Sequence, residues 1–323
     1  MFKNKIQKLI ATTLILSILT ADFSFSASAF NQVAIPKSNI PTSKVPPAHL
    51  ANSKAEPVSV KSMTSEIKKF LDLNSDNKKN SLTKAQNSAY SGTCGNNVTW
   101  DFQPSTGKLT VSGFGEMFSY ANTESTPWFS LKSSITSLEI EDGITSIGSQ
   151  SFGHCDNLES VTIPDSVTNI QIGAFVVNEN LVSVTFGKNI RRIGRGAFWG
   201  CAKLESVSLP NSLVSIGLFA FGSCSNLKSL TFGNRLKIIG QNAFSDCVSL
   251  TSITIPSSVT SINAWAFVGC SNLETVVLKA SNNVLSYLGE GAFAYTKLRS
   301  FTYFSKMDVG NYYDKQFDYT NLE

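Results

Sequence analysis

The chain has 323 residues, a hydrophobic content of 42% and a formal net charge of +4. This length allows two ordinary domains or one elongated array. The charge is uneven, because residues 1–60 already carry a net charge of +4 whereas residues 135–304 carry equal numbers of basic and acidic side chains. Nucleic-acid binding requires a concentrated basic face, so no nucleic-acid partner is expected.

The first 29 residues have the composition of an export signal. Three lysines among the first eight residues precede an apolar run over 9–19, which is shorter than a membrane span requires. Small residues ending at Ala29 fit a cleavage site, so residues 1–29 are predicted to be a signal peptide. The mature chain shows no stretch of membrane-spanning length. We therefore expect a secreted or cell-surface product.

Two polar segments follow. Residues 30–60 are rich in Pro, Ser, Lys and Asn, which cannot bury enough apolar surface to offset the entropy of ordering, and a disordered spacer is predicted. Residues 61–90 are predicted to be a polar helical linker. Part of this linker has the spacing of positions 1, 3, 5 and 9 of a calcium loop: Asp72, Asn74, Asp76 and Asn80.

The calcium-loop pattern is incomplete. Asn77 stands where such loops have glycine, and Thr83 stands where they have a bidentate carboxylate. A metal site and a plain polar linker therefore both remain open interpretations, and no cofactor is predicted.

Residues 91–134 have the pattern of a β-hairpin. The stretches 98–102 and 109–111 alternate between apolar and polar residues, and 103–107 has turn composition. Trp100 and Trp128 supply large apolar groups. Because the segment precedes a repetitive array whose first unit would otherwise expose its core, we predict an N-terminal β-hairpin cap.

Residues 135–304 repeat with a period of 23. A period in the twenties is typical of solenoids, in which each unit buries its apolar edge against its neighbours. We predict seven repeats and a final strand, with an insertion near Ser281 and a C-terminal cap over 305–323. Leucine and phenylalanine each recur at one repeat position: Leu158, Leu181, Leu204, Leu227, Leu250 and Leu273, and Phe152, Phe175, Phe198, Phe221, Phe244 and Phe267.

The alternation within each repeat predicts one strand that joins a narrow parallel sheet, spaced about 4.8 Å per coil. The returning side is expected to be irregular or short-helical and to insert its phenylalanine into the interior. Proline and glycine alternate after successive strands, which suggests duplication of coils in pairs with a 46-residue period: Pro164, Gly187, Pro210, Gly233 and Pro256.

Five cysteines share one repeat position, which Asn178 fills in the second repeat: Cys155, Cys201, Cys224, Cys247 and Cys270. Their side-chain vectors would run parallel, which is poor disulfide geometry. We expect buried free thiols, with disulfide bonds as the alternative in an exported protein. The state of Cys94 stays open.

The unit L-x-x-V-x-I-P-x-x-V-x-x-I-G-x-x-A-F-x-x-C resembles that of the BspA-like class of bacterial leucine-rich repeats. The similarity covers 135–304, and the entry segment from Ser91 to Trp128 resembles the module that often precedes such arrays. The resemblance implies a curved leucine-rich-repeat solenoid and a secreted or cell-surface protein. The class is linked to adhesion to host matrix proteins or to other cells, although fold alone does not fix function.

The outward strand positions predict a hydroxyl ladder on the sheet face: Ser160, Thr162, Ser183, Thr185, Ser206, Ser208, Ser229, Thr231, Ser252 and Thr254. Such a surface could bind a sugar or a protein. It lacks the aromatic and arginine anchors typical of binding hot spots, so a solvated ladder without a ligand is the alternative.

Anchors of that kind fall on the returning side and are predicted to bind a partner: Trp199, Phe219, Trp265, Lys188, Arg191, Arg192, Arg195, Arg235 and Lys237. The partner could be an anionic glycan or an acidic protein. A solvated basic edge is the alternative interpretation.

Catalysis by acid–base or nucleophilic groups needs partners within reach. The chain has two histidines and no carboxylate pair in a useful context, so no catalytic residue is predicted. The sequence favours an exported, monomeric, non-catalytic module for protein–protein contact or for cell-surface or matrix adhesion. A structural envelope, coat or spacer protein is the alternative, and glycan binding or enzyme activity is less favoured.

Overall fold

The computed structural model describes residues 90–279 and 285–302. The chain divides into two compact units, 1–86 and 87–323, and every described residue belongs to the second. The predicted signal peptide, spacer and C-terminal cap, the insertion near Ser281, and all of the helical linker except Tyr90 lie outside the described residues. Within the described part of the chain, no helix is long and apolar enough to cross a membrane.

The segment before the repeats forms an antiparallel meander. Its last long strand pairs in parallel with the first strand of the repeat sheet. Its strands β2 and β3 are the predicted hairpin, paired from Val98–Gly113 to Gln103–Lys108. The Trp128 ring is fully buried, and its Nε1 donates a hydrogen bond to the Ser151 carbonyl at 2.9 Å. The elements are β1 (Ser91–Thr93), β2 (Val98–Gln103), β3 (Lys108–Gly113), β4 (Gly115–Glu116) and the 3₁₀ helices Thr123–Ser125 and Phe129–Ser134.

Each repeat contributes two strands, one on either side of the coil. The first strands are β5 (Ser137–Ile140), β7 (Ser160–Thr162), β9 (Ser183–Thr185), β11 (Ser206–Ser208), β13 (Ser229–Thr231), β15 (Ser252–Ile255), β17 (Thr275–Leu278) and β19 (Ser300–Thr302). The second strands are β6 (Ile144–Ile147), β8 (Asn169–Ile170), β10 (Arg192–Ile193), β12 (Ser215–Ile216), β14 (Ile238–Ile239), β16 (Ser261–Ile262) and β18 (Tyr287–Leu288).

The first strands stack in parallel with the register that the repeat predicts. Ser160 pairs with Ser183 and Ser206 pairs with Ser229, each 23 residues further along the chain. The strand order is β1-β2-β3-β5-β7-β9-β11-β13, followed by a separate β15-β17-β19 sheet. The predicted leucine-rich-repeat solenoid is thereby confirmed.

The returning side contains a second parallel sheet that the sequence analysis did not predict. Its order is β18-β16-β14-β12-β10-β8-β6-β4, so the segment before the repeats contributes to both sheets. Most of its strands are only two residues long, and one of the two is an inward-facing isoleucine such as Ile193 or Ile216. The rest of each return is irregular, as expected, and carries phenylalanine into the interior.

These phenylalanines form a continuous stacked column, which we call the phenylalanine spine: Phe152, Phe175, Phe198, Phe221, Phe244, Phe267 and Phe293. Neighbouring ring centroids are 5.1–5.4 Å apart and every ring is fully buried. Trp128 stacks on the first ring at 5.4 Å and Phe301 packs edge-on against the last at 5.7 Å. Large buried rings dominate core energetics, so the spine is the main internal support of the solenoid.

The first sheet is interrupted between β13 and β15, and this interruption follows the 46-residue period. Phe186 and Phe232 occupy the strand-end position that Ile163, Leu209 and Ile255 fill in the other coils. Their rings pack edge-on against spine rings, at 5.6 Å and 5.8 Å respectively. In the coil that holds Phe186, only one residue pair joins β9 to the next strand, β11. In the coil that holds Phe232, no residue pair joins β13 to β15. We attribute the weaker pairing to the bulk of these two rings.

All six cysteines are free and buried, which agrees with the predicted buried thiols. The Cys201 Sγ donates a hydrogen bond to the Phe175 carbonyl at 3.3 Å, and Cys224, Cys247 and Cys270 repeat this contact one coil further each time. Asn178 donates to the equivalent Phe152 carbonyl at 2.9 Å and accepts from the Cys155 N–H at 2.7 Å. Asparagine therefore replaces cysteine as a buried donor.

Candidate binding surfaces

The predicted hydroxyl ladder exists as one exposed surface, the hydroxyl face, formed by the outward side of the first sheet. All ten predicted residues are exposed and lie in two rows along the solenoid. Thr231 donates a hydrogen bond to Ser208 across neighbouring strands at 3.1 Å. Lys228 and Glu205 form an ion pair at 3.3 Å beside these rows, so this basic side chain is locally neutralised.

A shallow pocket of ≈ 300 Å³ opens on the hydroxyl face where β13 and β15 separate. Hydroxyls of both strands and the edge of Phe232 line it, and Lys228 and Lys279 flank it. This pocket was not predicted from the sequence. The feature of the sequence that marks it is the Phe-Gly pair at the strand end of alternate repeats. From that alternation only duplication of the coils was inferred.

Two of the three predicted aromatic anchors, Trp199 and Trp265, pack against the next coil. Trp199 is only 8% exposed, so its prediction as a partner anchor is wrong. A Cβ added to Gly222, one coil further, would lie 2.9 Å from the Trp199 ring, which shows that glycine makes room for the indole. Phe219 and Trp265 are half-buried, and Trp265 packs over Gly291 in the same way.

Phe219 and Trp265 also occupy a turn that requires left-handed backbone. Their φ angles are 54° and 60°, and the equivalent residues of the other coils have positive φ as well: Gln150, Gly173, Gly196, Asn242 and Gly291. Bulky residues seldom adopt this conformation. For Trp265, packing onto Gly291 of the next coil is the compensating interaction, which gives this ring a structural role.

The basic residues on the returning side separate into a paired group and an unpaired group. The Lys188 Nζ lies 2.6 Å from the Asp165 carboxylate, and this ion pair raises the pKa of Lys188 and lowers that of Asp165. Arg191, Arg192 and Arg235 are exposed and Lys237 is half-buried, and none of them forms an ion pair within 90–279 or 285–302.

The unpaired residues lie on the outward side of the second sheet, which we call the second-sheet face. Arg191, Val214 and Lys237 are neighbours across three coils, because the Val214 N–H donates to the Arg191 carbonyl and the Lys237 N–H donates to the Val214 carbonyl, at 2.9 and 2.8 Å. Arg195 is half-buried and lies in the same coil as Arg191, on the other side of β10. Burial lowers the pKa of Arg195.

A buried amine near the first repeat was missed by the sequence analysis. Lys132 is 6% exposed, and its Nζ has no hydrogen-bond partner among the described residues, although it lies 5.2 Å from the centre of the Phe129 ring. Burial lowers its pKa from 10.5 to about 8. Burial and the charge of Lys132 lower the pKa of the nearby His154.

His154 and Cys155 do not have the properties of a nucleophile–base couple. Burial raises the pKa of the Cys155 thiol to about 12, whereas nucleophilic cysteines have a lowered pKa. Across the part of the chain that the structure describes, no three His, Cys, Asp or Glu side chains are arranged to hold a metal ion. The calcium-like residues Asp72, Asn74, Asp76 and Asn80 lie outside the described residues.

The repeat unit matches a known protein family. The model of the BspA type leucine-rich repeat region matches residues 125–213 and 192–323, in six copies, which is more than half of the chain. The chain belongs to the BspA-type leucine-rich repeat family. This BspA-type region begins at the end of the hairpin segment and includes every coil described above. Membership indicates a binding module built from repeats.

Several solved leucine-rich repeat structures are similar to this BspA-type chain. TpLRR of T. pallidum is 26% identical, with a TM-score of 0.46, over 61% of this chain and 85% of that chain. A leucine-rich cell surface protein of Faecalibacterium prausnitzii is 20% identical, with a TM-score of 0.35, over 67% and 77%. The pneumococcal vaccine antigen PcpA is 20% identical, with a TM-score of 0.37, over 65% and 49%. No curated protein matches the chain.

Proposed function

We propose that this BspA-type chain is an exported, non-catalytic module that binds a protein, or a cell-surface or matrix component, through its repeat array. One observation carries the proposal. The inward row of the second sheet is nearly uniform, whereas the outward row in the same register differs from coil to coil: Asn169, Arg192, Ser215, Ile238, Ser261 and Tyr287. A uniform interior with a varied exterior lets a repeat scaffold specify a partner.

The rigidity of the array supports this function. Side chains placed on stacked strands keep fixed spacings, and fixed spacings reduce the entropy lost when a partner binds. The phenylalanine spine and the buried thiols hold the strands from inside, so the outward residues can vary without loss of the core. The inert Cys155 thiol beside His154 supports a non-catalytic role.

Export is the second part of the proposal. The basic start, the short apolar run and the small residues ending at Ala29 support a cleaved signal peptide. Expression in an exporting host followed by mass spectrometry of the released protein tests it. We expect a mature chain that begins at Phe30, and an intact Met1 on the released protein would contradict export through this signal.

Binding is tested with the full-length protein immobilised and exposed to cell-envelope and matrix extracts over a range of salt concentrations. We expect a saturable partner that is lost in one of two surface variants, S206K/S229K/S252K on the hydroxyl face or R191E/R192E on the second sheet. Both sets of residues are exposed, so neither variant should change the circular dichroism spectrum. Binding that never saturates would refute the proposal.

The uniformity of the hydroxyl face favours a second candidate, a structural spacer or coat protein without a specific ligand. Its rows offer serine and threonine in nearly every coil and no arginine or tryptophan. Regular surfaces of this kind suit packing against identical copies. Concentration-dependent self-association, with no saturable partner in any extract, would favour this candidate.

A further inference from the structure

The second-sheet face exposes apolar side chains in four of its coils, two of which are neighbours. Large hydrophobic residues with substantial exposure include Ile172 (41%), Val214 (40%), Ile238 (41%) and Tyr287 (53%). All four lie on or beside the strands of the second sheet. Single exposed apolar residues need no explanation, but a group on one face of a soluble protein marks an interaction site.

The same face carries an excess of positive charge that the total composition hides. The segments that hold the second strands of the first six coils contain five basic and no acidic side chains. All ten acidic side chains between residues 135 and 279 lie elsewhere, with four basic ones. The array is therefore close to neutral but has one cationic face. The segments are 143–149, 166–172, 189–195, 212–218, 235–241 and 258–264.

The positive charges of this face are not neutralised within the described chain. The three ion pairs of the described residues use Lys108, Lys188 and Lys228, none of which lies in these segments. Arg191 and Lys237 are two coils apart, or about 10 Å at the usual strand spacing. Val214 lies between them, and Arg192 and Ile238 lie beside them on β10 and β14.

Arg195 adds an unsatisfied donor at the edge of the face. Its equivalents in the adjacent coils are Ile172 and Leu218, so apolar neighbours flank the guanidinium stem. Its Nε is buried and has no hydrogen-bond partner among the described residues. Buried donors without an acceptor are unusual, so the described residues leave the edge of this face incompletely satisfied.

We propose that the second-sheet face binds an extended acidic segment of a partner protein, with carboxylates on Arg191, Arg192 and Lys237 and apolar side chains over Val214 and Ile238. This inference rests on the proposed binding function and names the site and the chemistry of the partner. Arginine with tyrosine and aliphatic groups is the composition of protein interfaces.

Other anionic occupants fit less well. A sulfated polysaccharide would use the charges but would leave the exposed isoleucines and valine uncovered. An anionic membrane would require protruding aromatic or leucine side chains, whereas Phe219 and Trp265 on this side are half-buried. Complementary charge and apolar contact together select an acidic protein segment.

The test measures binding of the full-length protein to labelled synthetic peptides by fluorescence anisotropy. One peptide repeats Glu-Glu-Leu-Gly and a matched peptide repeats Glu-Glu-Ser-Gly. We expect the leucine peptide to bind about fivefold more tightly, because its leucine side chains can be buried against Val214 and Ile238 whereas serine gains nothing from burial. Heparin and vesicles of phosphatidylserine and phosphatidylcholine in equal amounts serve as the other two probes.

Three variants locate the site. R191E/R192E should weaken binding of the leucine peptide by about tenfold or more, since two attractions become repulsions. V214S/I238S should remove the preference for leucine over serine and keep most of the salt dependence. K203E/K297E changes the net charge by the same amount at exposed positions outside this face, and we expect less than about a twofold effect.

The outcomes separate this inference from the general binding function. Equal binding of the two peptides, or tighter binding to heparin or to the vesicles than to the leucine peptide, would overturn the acidic protein segment as the occupant. Equal losses in R191E/R192E and K203E/K297E would overturn the site. If an extract partner binds R191E/R192E normally but not S206K/S229K/S252K, the binding function stands and the second-sheet face is not its site.

Discussion

Replacement of Lys132 by methionine should stabilise the protein, and the gain should depend on pH. The Nζ is buried without a hydrogen-bond partner among the described residues, and methionine keeps most of the apolar stem. A buried charge without a partner destabilises the fold, and an apolar replacement of similar volume removes that cost. The Phe129 ring, 5.2 Å from the ammonium, offsets only part of it.

The magnitude follows from the pKa. Burial lowers the pKa of Lys132 from 10.5 to about 8, and each pKa unit corresponds to about 1.4 kcal/mol, so the cost of the charged amine reaches about 3 kcal/mol below pH 8. Because the pKa of the folded state is the lower one, the unfolded state binds more protons between pH 8 and 10.5. Stability from this group therefore rises with pH across that window.

Urea denaturation of the wild type and K132M at pH 7 and pH 10 measures the effect. We expect K132M to be more stable by about 1–3 kcal/mol at pH 7 and by less than about 1 kcal/mol at pH 10. The comparison between variants cancels the titration of cysteines and tyrosines, which both proteins share. The exposed Lys203 provides the control, K203M, with no pH-dependent gain. A K132M variant that is less stable at pH 7, or whose gain does not change with pH, would refute the reasoning.

Three further predictions concern the interior and its turns. Burial raises the pKa of Cys94, Cys155 and Cys201 to about 12. Iodoacetamide at pH 8 should therefore modify no cysteine of the native protein and all six cysteines in denaturant. Rapid labelling of the native protein, or fewer than six labelled thiols in denaturant, would contradict this prediction. Val177 has a φ of 54° although it is β-branched, and asparagine tolerates this left-handed conformation better. V177N should therefore raise the free energy of unfolding by about 1 kcal/mol. The control V182N, at an exposed strand edge, should not raise it. N178L leaves the Phe152 carbonyl and the Cys155 N–H without their buried partner and should cost about 3 kcal/mol, while N226L at an exposed turn should have little effect in the same denaturation assay.

The interior was predictable because the spine position holds phenylalanine in every coil. A phenylalanine every 23 residues has one arrangement that buries all the rings, a column, and the structure has that column. The second sheet was not predicted because two residues are too few to show alternation. Its signal was present in the spacing of Ile170, Ile193 and Ile216, which recur with the same period as the spine.

Trp199 shows why variability within a repeat does not imply exposure. Its repeat position holds different residues in other coils, which favoured a surface location. Exposure at a turn, however, depends on what the next coil places above it. Gly222 lies one period later and leaves space for the indole, so the ring is buried. A large residue followed 23 positions later by glycine is the signal that predicts such packing.

The charge of the array shows how the position within a repeat decides the surface. Counting along the chain gives a neutral array, because residues 135–304 carry equal numbers of basic and acidic side chains. Side chains adjacent in space, however, are those 23 residues apart, so charge has to be counted at one repeat position across all coils. Counted in that way, the second-strand segments of the first six coils have five basic and no acidic residues, and the segment of the seventh coil ends in Glu290. Coulombic attraction between exposed charges extends over about a Debye length of 8–10 Å, which spans two coils. The Arg191 and Lys237 charges therefore act together on an incoming carboxylate, although 46 residues separate them along the chain.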